Sequence, residues 1–68
     1  MRWVAPYRSY FVPAHQGFPR IAGYLIRQGA GWWLIYSQQT NETYLVRAVP
    51  GGYQVDVYKG YATPPCCG

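Results

Sequence analysis

Acidic residues are almost missing from this chain of 68 residues, which has only Glu42 and Asp56. It also has a single His, and its two Cys are adjacent near the C-terminus. A carboxylate pair for acid–base chemistry, a nucleophile–His–acid triad and a four-ligand zinc site each require more such groups at other spacings. No Gly-rich phosphate loop opens a helix. We therefore expect no enzymatic activity, no cofactor and no metal.

The two cysteines, Cys66 and Cys67, lie too close to the end of the chain to staple the fold, and Cys-Cys-Gly is not a prenylation box. We expect residues 63–68 to form a frayed tail with free thiols, the alternatives being an intermolecular disulfide or a lipid attachment. The N-terminus lacks the apolar stretch of a secretory signal, and no run reaches the roughly twenty apolar residues of a membrane span. These absences predict a cytoplasmic protein that does not contact a membrane.

Helical periodicity is also missing, because eight Gly and six Pro interrupt the chain too often. Four runs rich in aromatic and β-branched residues take its place, at 21–28, 32–38, 43–49 and 53–59. Turn residues separate these runs, which predicts an antiparallel β-meander. Residues 7–12 form a fifth candidate strand at an edge of the sheet. We expect one all-β domain over residues 1–68, curled into a small SH3-like or OB-like barrel.

The last hairpin offers two registers. A loop made of Gly51 and Gly52, with positive φ at both, suits a primed two-residue turn and places Arg47 opposite Asp56. A type II turn centred on Pro50 and Gly51 is the alternative and shifts the pairing by two residues. We prefer the first register because it sets opposite charges against each other.

The two earlier hairpins have a predicted three-residue loop at 29–31 and a predicted four-residue loop at 39–42. These loops place Leu25, Ile35 and Val46 side by side across three strands. Strand residues alternate between the two faces of a sheet, so the registers also sort the remaining side chains.

Both faces of the predicted sheet are apolar. One carries Leu25, Trp33, Ile35, Val46, Ala48, Val55 and Val57. The other carries Tyr24, Ile26, Trp32, Leu34, Tyr36, Leu45, Val49 and Tyr58 beside the Arg47 and Asp56 pair. So few residues remain that a flat sheet could not be covered, and it must curl, associate with copies or meet a partner.

The second face is the candidate contact surface, since Tyr, Trp and Arg are the commonest interface anchors. Its predicted partner-binding residues are Tyr24, Trp32, Tyr36, Leu45, Tyr58 and Arg47. The competing interpretation is that the N-terminal segment closes over this face, which makes the same side chains part of the core.

The formal net charge of +4 reflects the scarcity of acids, and five of the six bases are Arg. Arg suits bidentate contact with phosphate or carboxylate, so the candidate anion-binding residues are Arg2, Arg8, Arg20 and Arg27. Solvated side chains that keep the surface soluble are the alternative.

Three functions follow, in order of preference. The first is a non-enzymatic binding module for a protein partner or for itself as a homo-oligomer, in the style of a small phage or mobile-element inhibitor in the host cytoplasm. The second is a single-stranded nucleic-acid-binding protein, with aromatic stacking supported by Arg27, Arg47 and Lys59. The third is a binder of an anionic small ligand, such as a nucleotide, at an oligomer seam.

Overall fold

The computed structural model describes residues 5–62, which form one antiparallel sheet of five strands. The strands are β1 (Arg8–Pro13), β2 (Tyr24–Gly29), β3 (Trp32–Ser37), β4 (Glu42–Val49) and β5 (Gly52–Lys59). The all-β class is confirmed, and one 3-10 turn, Ala14–Gln16, is the only helical element in this part of the chain. No helix within the described residues has the length and hydropathy needed to cross a membrane.

The strand order is β1-β5-β4-β3-β2, so β2 to β5 form the predicted meander. The predicted fifth strand is present too, and it pairs with β5 at one edge. The sheet is not closed, because β1 and β2 stand at its two edges, and the barrel is therefore not confirmed. The tail predicted at 63–68 lies outside the described residues.

The preferred register of the last hairpin is wrong, and its alternative is correct. Leu45 pairs with Asp56, and Val49 pairs with Gly52, so the turn is centred on Pro50 and Gly51. Positive φ occurs at Gly51 (89°) but not at Gly52, whereas a primed turn of the predicted kind requires it at both. Gly52 is needed for a different reason: a Cβ there would collide with the carbonyl oxygen of Val12 in β1.

The other two loops also differ from their predictions. The loop between β3 and β4 spans residues 38–41, one position earlier than predicted, and Asn41 within it has a φ of 55°. Asn tolerates this left-handed conformation better than most residues. The β2–β3 register is as predicted at Leu25 but slips by one at Ile26, which forms a bulge. The loop that follows has only two residues, Ala30 and Gly31.

The predicted division of side chains between the two faces is confirmed, because the β3–β4 and β4–β5 errors are shifts of two residues. The valine face, as we call it, has a buried cluster of Val46, Val55 and Val57. The tyrosine face lies opposite, and its buried cluster consists of Leu34, Leu45 and Tyr58. The sheet therefore has a core on each side.

The connection from β1 to β2 covers the valine face. It runs from one edge of the sheet to the other, and Ile21 packs against the valine cluster. The Phe18 ring meets Trp33 and Tyr53 edge to face, with centroid distances of 4.9 and 5.3 Å. Pro19, which follows Phe18 in this connection, is buried.

The residues after β5 cover part of the tyrosine face. The Thr43 hydroxyl donates to the Gly60 carbonyl at 2.5 Å and accepts from the Ala62 amide at 3.0 Å. Ala62 then packs on the Leu34 cluster, as do Ile26 and Trp32. Short segments of the chain therefore cover the valine face and part of the tyrosine face, whereas the sequence predicts too few residues to cover a flat sheet.

Candidate functional site

The six predicted partner-binding residues all lie on the tyrosine face, but at different depths. Leu45 and Tyr58 belong to the buried cluster, with 1% and 5% exposure, and offer a partner almost no surface. Trp32 and Tyr36 are half-buried, whereas Tyr24 is exposed. Arg47 is exposed at the edge of the same cluster.

A row of three tyrosine rings extends outward from this core. Tyr36 is in the middle, 6.1 Å from the Tyr24 ring and 5.1 Å from the Tyr61 ring between centroids. Its hydroxyl donates to the side-chain oxygen of Asn41 at 2.6 Å, which fixes the ring. Tyr24 is 51% exposed and Tyr61 65% exposed. We call Tyr24, Tyr36 and Tyr61 the tyrosine row.

Sequence reasoning missed Tyr61, because it follows the end of the last strand and has no place in the strand alternation. It reaches the row only because Gly60, with a φ of 74°, turns the chain back and Thr43 holds that turn. The one feature of the sequence that points to Tyr61 is its position directly after a Gly at the end of a strand.

The bulge in β2 adds a cation to the tyrosine face. Arg27 pairs across from Leu34 and therefore shares its side of the sheet. It makes no ion pair with any residue in 5–62. Nearby, the Trp32 indole lies against Gly29 so closely that a Cβ at Gly29 would overlap it. Glycine at position 29 therefore leaves the space that the indole occupies.

Arg47 is already engaged. Its guanidinium donates to one Asp56 oxygen at 2.8 Å, and the Ser9 hydroxyl donates to the other at 2.8 Å. The predicted pairing of the two charges is thus present, although across a diagonal rather than directly opposite. Both oxygens of Asp56 are satisfied, so this buried carboxylate is not free to bind a ligand.

The second acid is engaged as well. Glu42 is buried and accepts hydrogen bonds from the hydroxyls of Tyr7 and Tyr44. The bond from Tyr7 first, and that from Tyr44 second, lower the pKa of the Glu42 carboxyl. The hydrogen bond between Tyr7 and Glu42 also raises the pKa of Tyr7. Burial is the main cause that raises the pKa of Tyr44. The hydroxyls of Tyr7 and Tyr44 therefore stabilise the charged, carboxylate form of Glu42.

The predicted anion-binding residues do not form one cluster. Arg8 lies on β1, where its guanidinium is 5.6 Å from the Tyr7 ring centroid and 5.9 Å from that of Tyr10. Arg20 lines a cavity beside the same Tyr10. Arg27 is on the strand at the opposite edge of the sheet. Arg2 lies outside the described residues.

No three His, Cys, Asp or Glu side chains within residues 5–62 come together as a metal site would require. The chain matches no protein-family model, no curated protein and no solved structure. Its function must therefore be inferred from its own residues.

Proposed function

We propose that this protein is a non-enzymatic binding module that holds a protein partner against its tyrosine face. The observation that supports this proposal is the tyrosine row, whose outer rings Tyr24 and Tyr61 are exposed beside a core that is already buried. A partner can bury these rings without opening the fold. Tyr and Trp provide large contact areas at a low cost in side-chain entropy, so Tyr24, Tyr61 and Trp32 are the expected anchors.

The charges of the chain favour an acidic partner over a second copy. The net charge is +4, and both acids are satisfied by the chain's own hydroxyls and Arg47. Two copies would therefore repel each other and would offer no free carboxylate to an arginine of the other. A negatively charged protein would instead be attracted to this chain at low salt.

The rings of the tyrosine face suit stacking on the bases of single-stranded nucleic acid, but within residues 5–62 the face has too few free cations to contact the phosphates. Proteins that bind single strands on a sheet surface combine aromatic side chains, which stack on the bases, with several free cations along the nucleic-acid backbone. On the tyrosine face Arg47 is committed to Asp56, which leaves Arg27 as the strand cation without an ion pair among the described residues. A salt titration with generic single strands tests this: we expect weak binding at low salt, and a tight, steeply salt-dependent complex would contradict the proposal.

Site-specific crosslinking in the native host tests the proposal directly. A photo-crosslinking residue replaces Tyr61 in one variant and Tyr10 in another, because both are exposed and they lie on different parts of the molecule. We expect one acidic protein to be crosslinked through position 61 and not through position 10. Equal yields from both positions, or none from position 61, would argue against the tyrosine face.

The captured protein is then used in a binding measurement. Tyr24→Ala and Tyr61→Ala should each weaken binding by about 1 kcal/mol or more, as interface anchors do, while Tyr10→Ala leaves it unchanged. Circular dichroism must show that all three variants are folded. Tyr58→Ala is unsuitable here, because Tyr58 is part of the buried cluster.

A further inference from the structure

A cavity of about 270 Å³ opens between β1 and the connection that covers the valine face. Its lining residues are Tyr10, Val12, Gln16, Phe18, Pro19 and Arg20. We infer that this cavity binds a small planar anion, an aromatic ring that carries a phosphate group, as in a mononucleotide. The site is separate from the tyrosine row and does not depend on the proposed protein partner.

Two aromatic side chains provide the walls. Phe18 is 41% exposed although its ring packs edge to face on Trp33 and Tyr53, so the structure fixes the ring and leaves part of it open. Tyr10 is 36% exposed. A planar ligand ring can stack on such a surface, and fixed walls lower the entropic cost of binding.

One arginine of the cavity, Arg20, provides the charge, and it makes no ion pair among the described residues. Arg8 is not part of the lining; it lies on β1, with its guanidinium 5.9 Å from the centroid of the Tyr10 ring. No carboxylate lines the cavity: Asp56 pairs with Arg47 on the tyrosine face, and Glu42 is held by two tyrosines. The planar guanidinium of arginine matches a phosphate with two parallel hydrogen bonds.

The size of the cavity limits the ligand. At about 270 Å³ it is slightly smaller than the usual range for small-molecule sites, about 300 to 1,000 Å³, so it suits at most one base with its phosphate and not a dinucleotide cofactor. The Gln16 side chain provides an amide donor and acceptor at the rim. A free mononucleotide and the 5′-phosphorylated end of a single strand share this chemistry.

Nuclear magnetic resonance titration of the full chain tests the site. Adenosine monophosphate, adenosine and inorganic phosphate are added separately, and the Trp33 indole and the amides of Gln16, Gly17, Phe18 and Arg20 are followed. We expect saturable shifts there with the monophosphate, at least about tenfold tighter than with either fragment, because stacking and phosphate contacts both contribute. No saturation by about 10 mM monophosphate would overturn the inference, since its dissociation constant would then exceed the millimolar range.

Matched variants locate the binding. Arg20→Gln should weaken the monophosphate complex about tenfold, whereas Arg27→Gln on the far edge strand should not change it. An equal loss in both variants would show general charge attraction and refute a site at this cavity. A short strand with a 5′-phosphate then distinguishes the two sources: tighter binding than the monophosphate identifies a strand end, and equal or weaker binding identifies the free nucleotide.

Discussion

The two faces of this sheet are closed in different ways. On the valine face, a connection that crosses the whole sheet packs Ile21 on the valines and the Phe18 ring on Trp33 and Tyr53. On the tyrosine face, residues 60–62 are held by three hydrogen bonds: the Thr43 hydroxyl donates to the Gly60 carbonyl and accepts from the Ala62 amide, and the Gly60 amide donates to the Asn41 carbonyl. Packing covers an extended area, whereas these hydrogen bonds hold a short segment. That segment leaves Tyr24 and its own Tyr61 exposed.

The largest expected effect comes from the cores beneath these covers. Leu45 and Val46 are consecutive, point to opposite faces and are both fully buried. Leu45→Ala should cost about 2 to 5 kcal/mol, most of the stability of so small a domain. Val46→Ala removes two methyl groups and should cost about 1.6 kcal/mol plus a cavity term. Urea unfolding measures both, and a cost below about 1 kcal/mol for Leu45→Ala would mean that the tyrosine face has no true core.

The next effect concerns the contact between β5 and the edge strand β1. In Gly52→Ala the new methyl group would overlap the Val12 carbonyl and approach the Ala14 amide to 3.0 Å, so β1 must shift. We expect a cost of about 1 to 3 kcal/mol and faster amide exchange across β1. Gly51→Ala is the control, because its added Cβ meets only Phe11, at 3.8 Å, and the cost arises from its positive φ alone. Unchanged exchange in β1 of Gly52→Ala would contradict this close approach.

A smaller effect should follow from release of the cover on the tyrosine face. Thr43→Val preserves the shape of the side chain but removes both hydrogen bonds to residues 60–62. We expect a loss of about 1 to 2 kcal/mol, since the freed Gly60 and Ala62 groups can bind water. Contacts between the Tyr36 and Tyr61 rings should disappear from nuclear Overhauser spectra, while the Phe18 to Trp33 contacts persist. Loss of both sets of contacts would show that the two covers are not independent.

The smallest expected effect is a dependence of folding stability on pH. The pKa of Glu42 is lowered in the folded state from its ordinary value of 4.5. Its stabilising contribution is therefore complete above that value and is lost as the pH falls through the lower pKa of the folded state. Tyr7→Phe removes the main cause of the shift, so the variant should lose less stability than the parent between about pH 5 and pH 3. Thermal unfolding over this range measures the difference, and parallel curves for the two proteins would refute it.

The sequence predicted the faces better than the registers. Strand alternation survives an error of two residues, so the valines and tyrosines were sorted correctly although two hairpins were misaligned by two. The one-residue slip in the third hairpin falls after Tyr24 and Leu25 and does not move them to the other face. Gly51 and Gly52 look alike in a sequence, yet one is needed for its positive φ and the other for its contact with β1. The second reason depends on the position of β1, which is distant in the sequence, so the sequence alone does not distinguish the two.

Burial within a face was harder to predict than the face itself. Alternation placed Tyr58 and Tyr24 on the same side, but it carries no information about which of them the chain later covers. The buried one is Tyr58, next to the turn that Thr43 fixes, and the exposed one is Tyr24, on the edge strand. Long-range hydrogen bonds of this kind leave no local pattern in the sequence.

The bulge at Ile26 has a consequence for solubility. A straight edge strand invites backbone pairing with another molecule, which is a common route to aggregation. At β2 the bulge interrupts the regular spacing of amide and carbonyl groups, and at β1 Pro13 ends the strand without a donor. A protein in which half of the residues are hydrophobic thus exposes two edges that are poor templates for fibril growth.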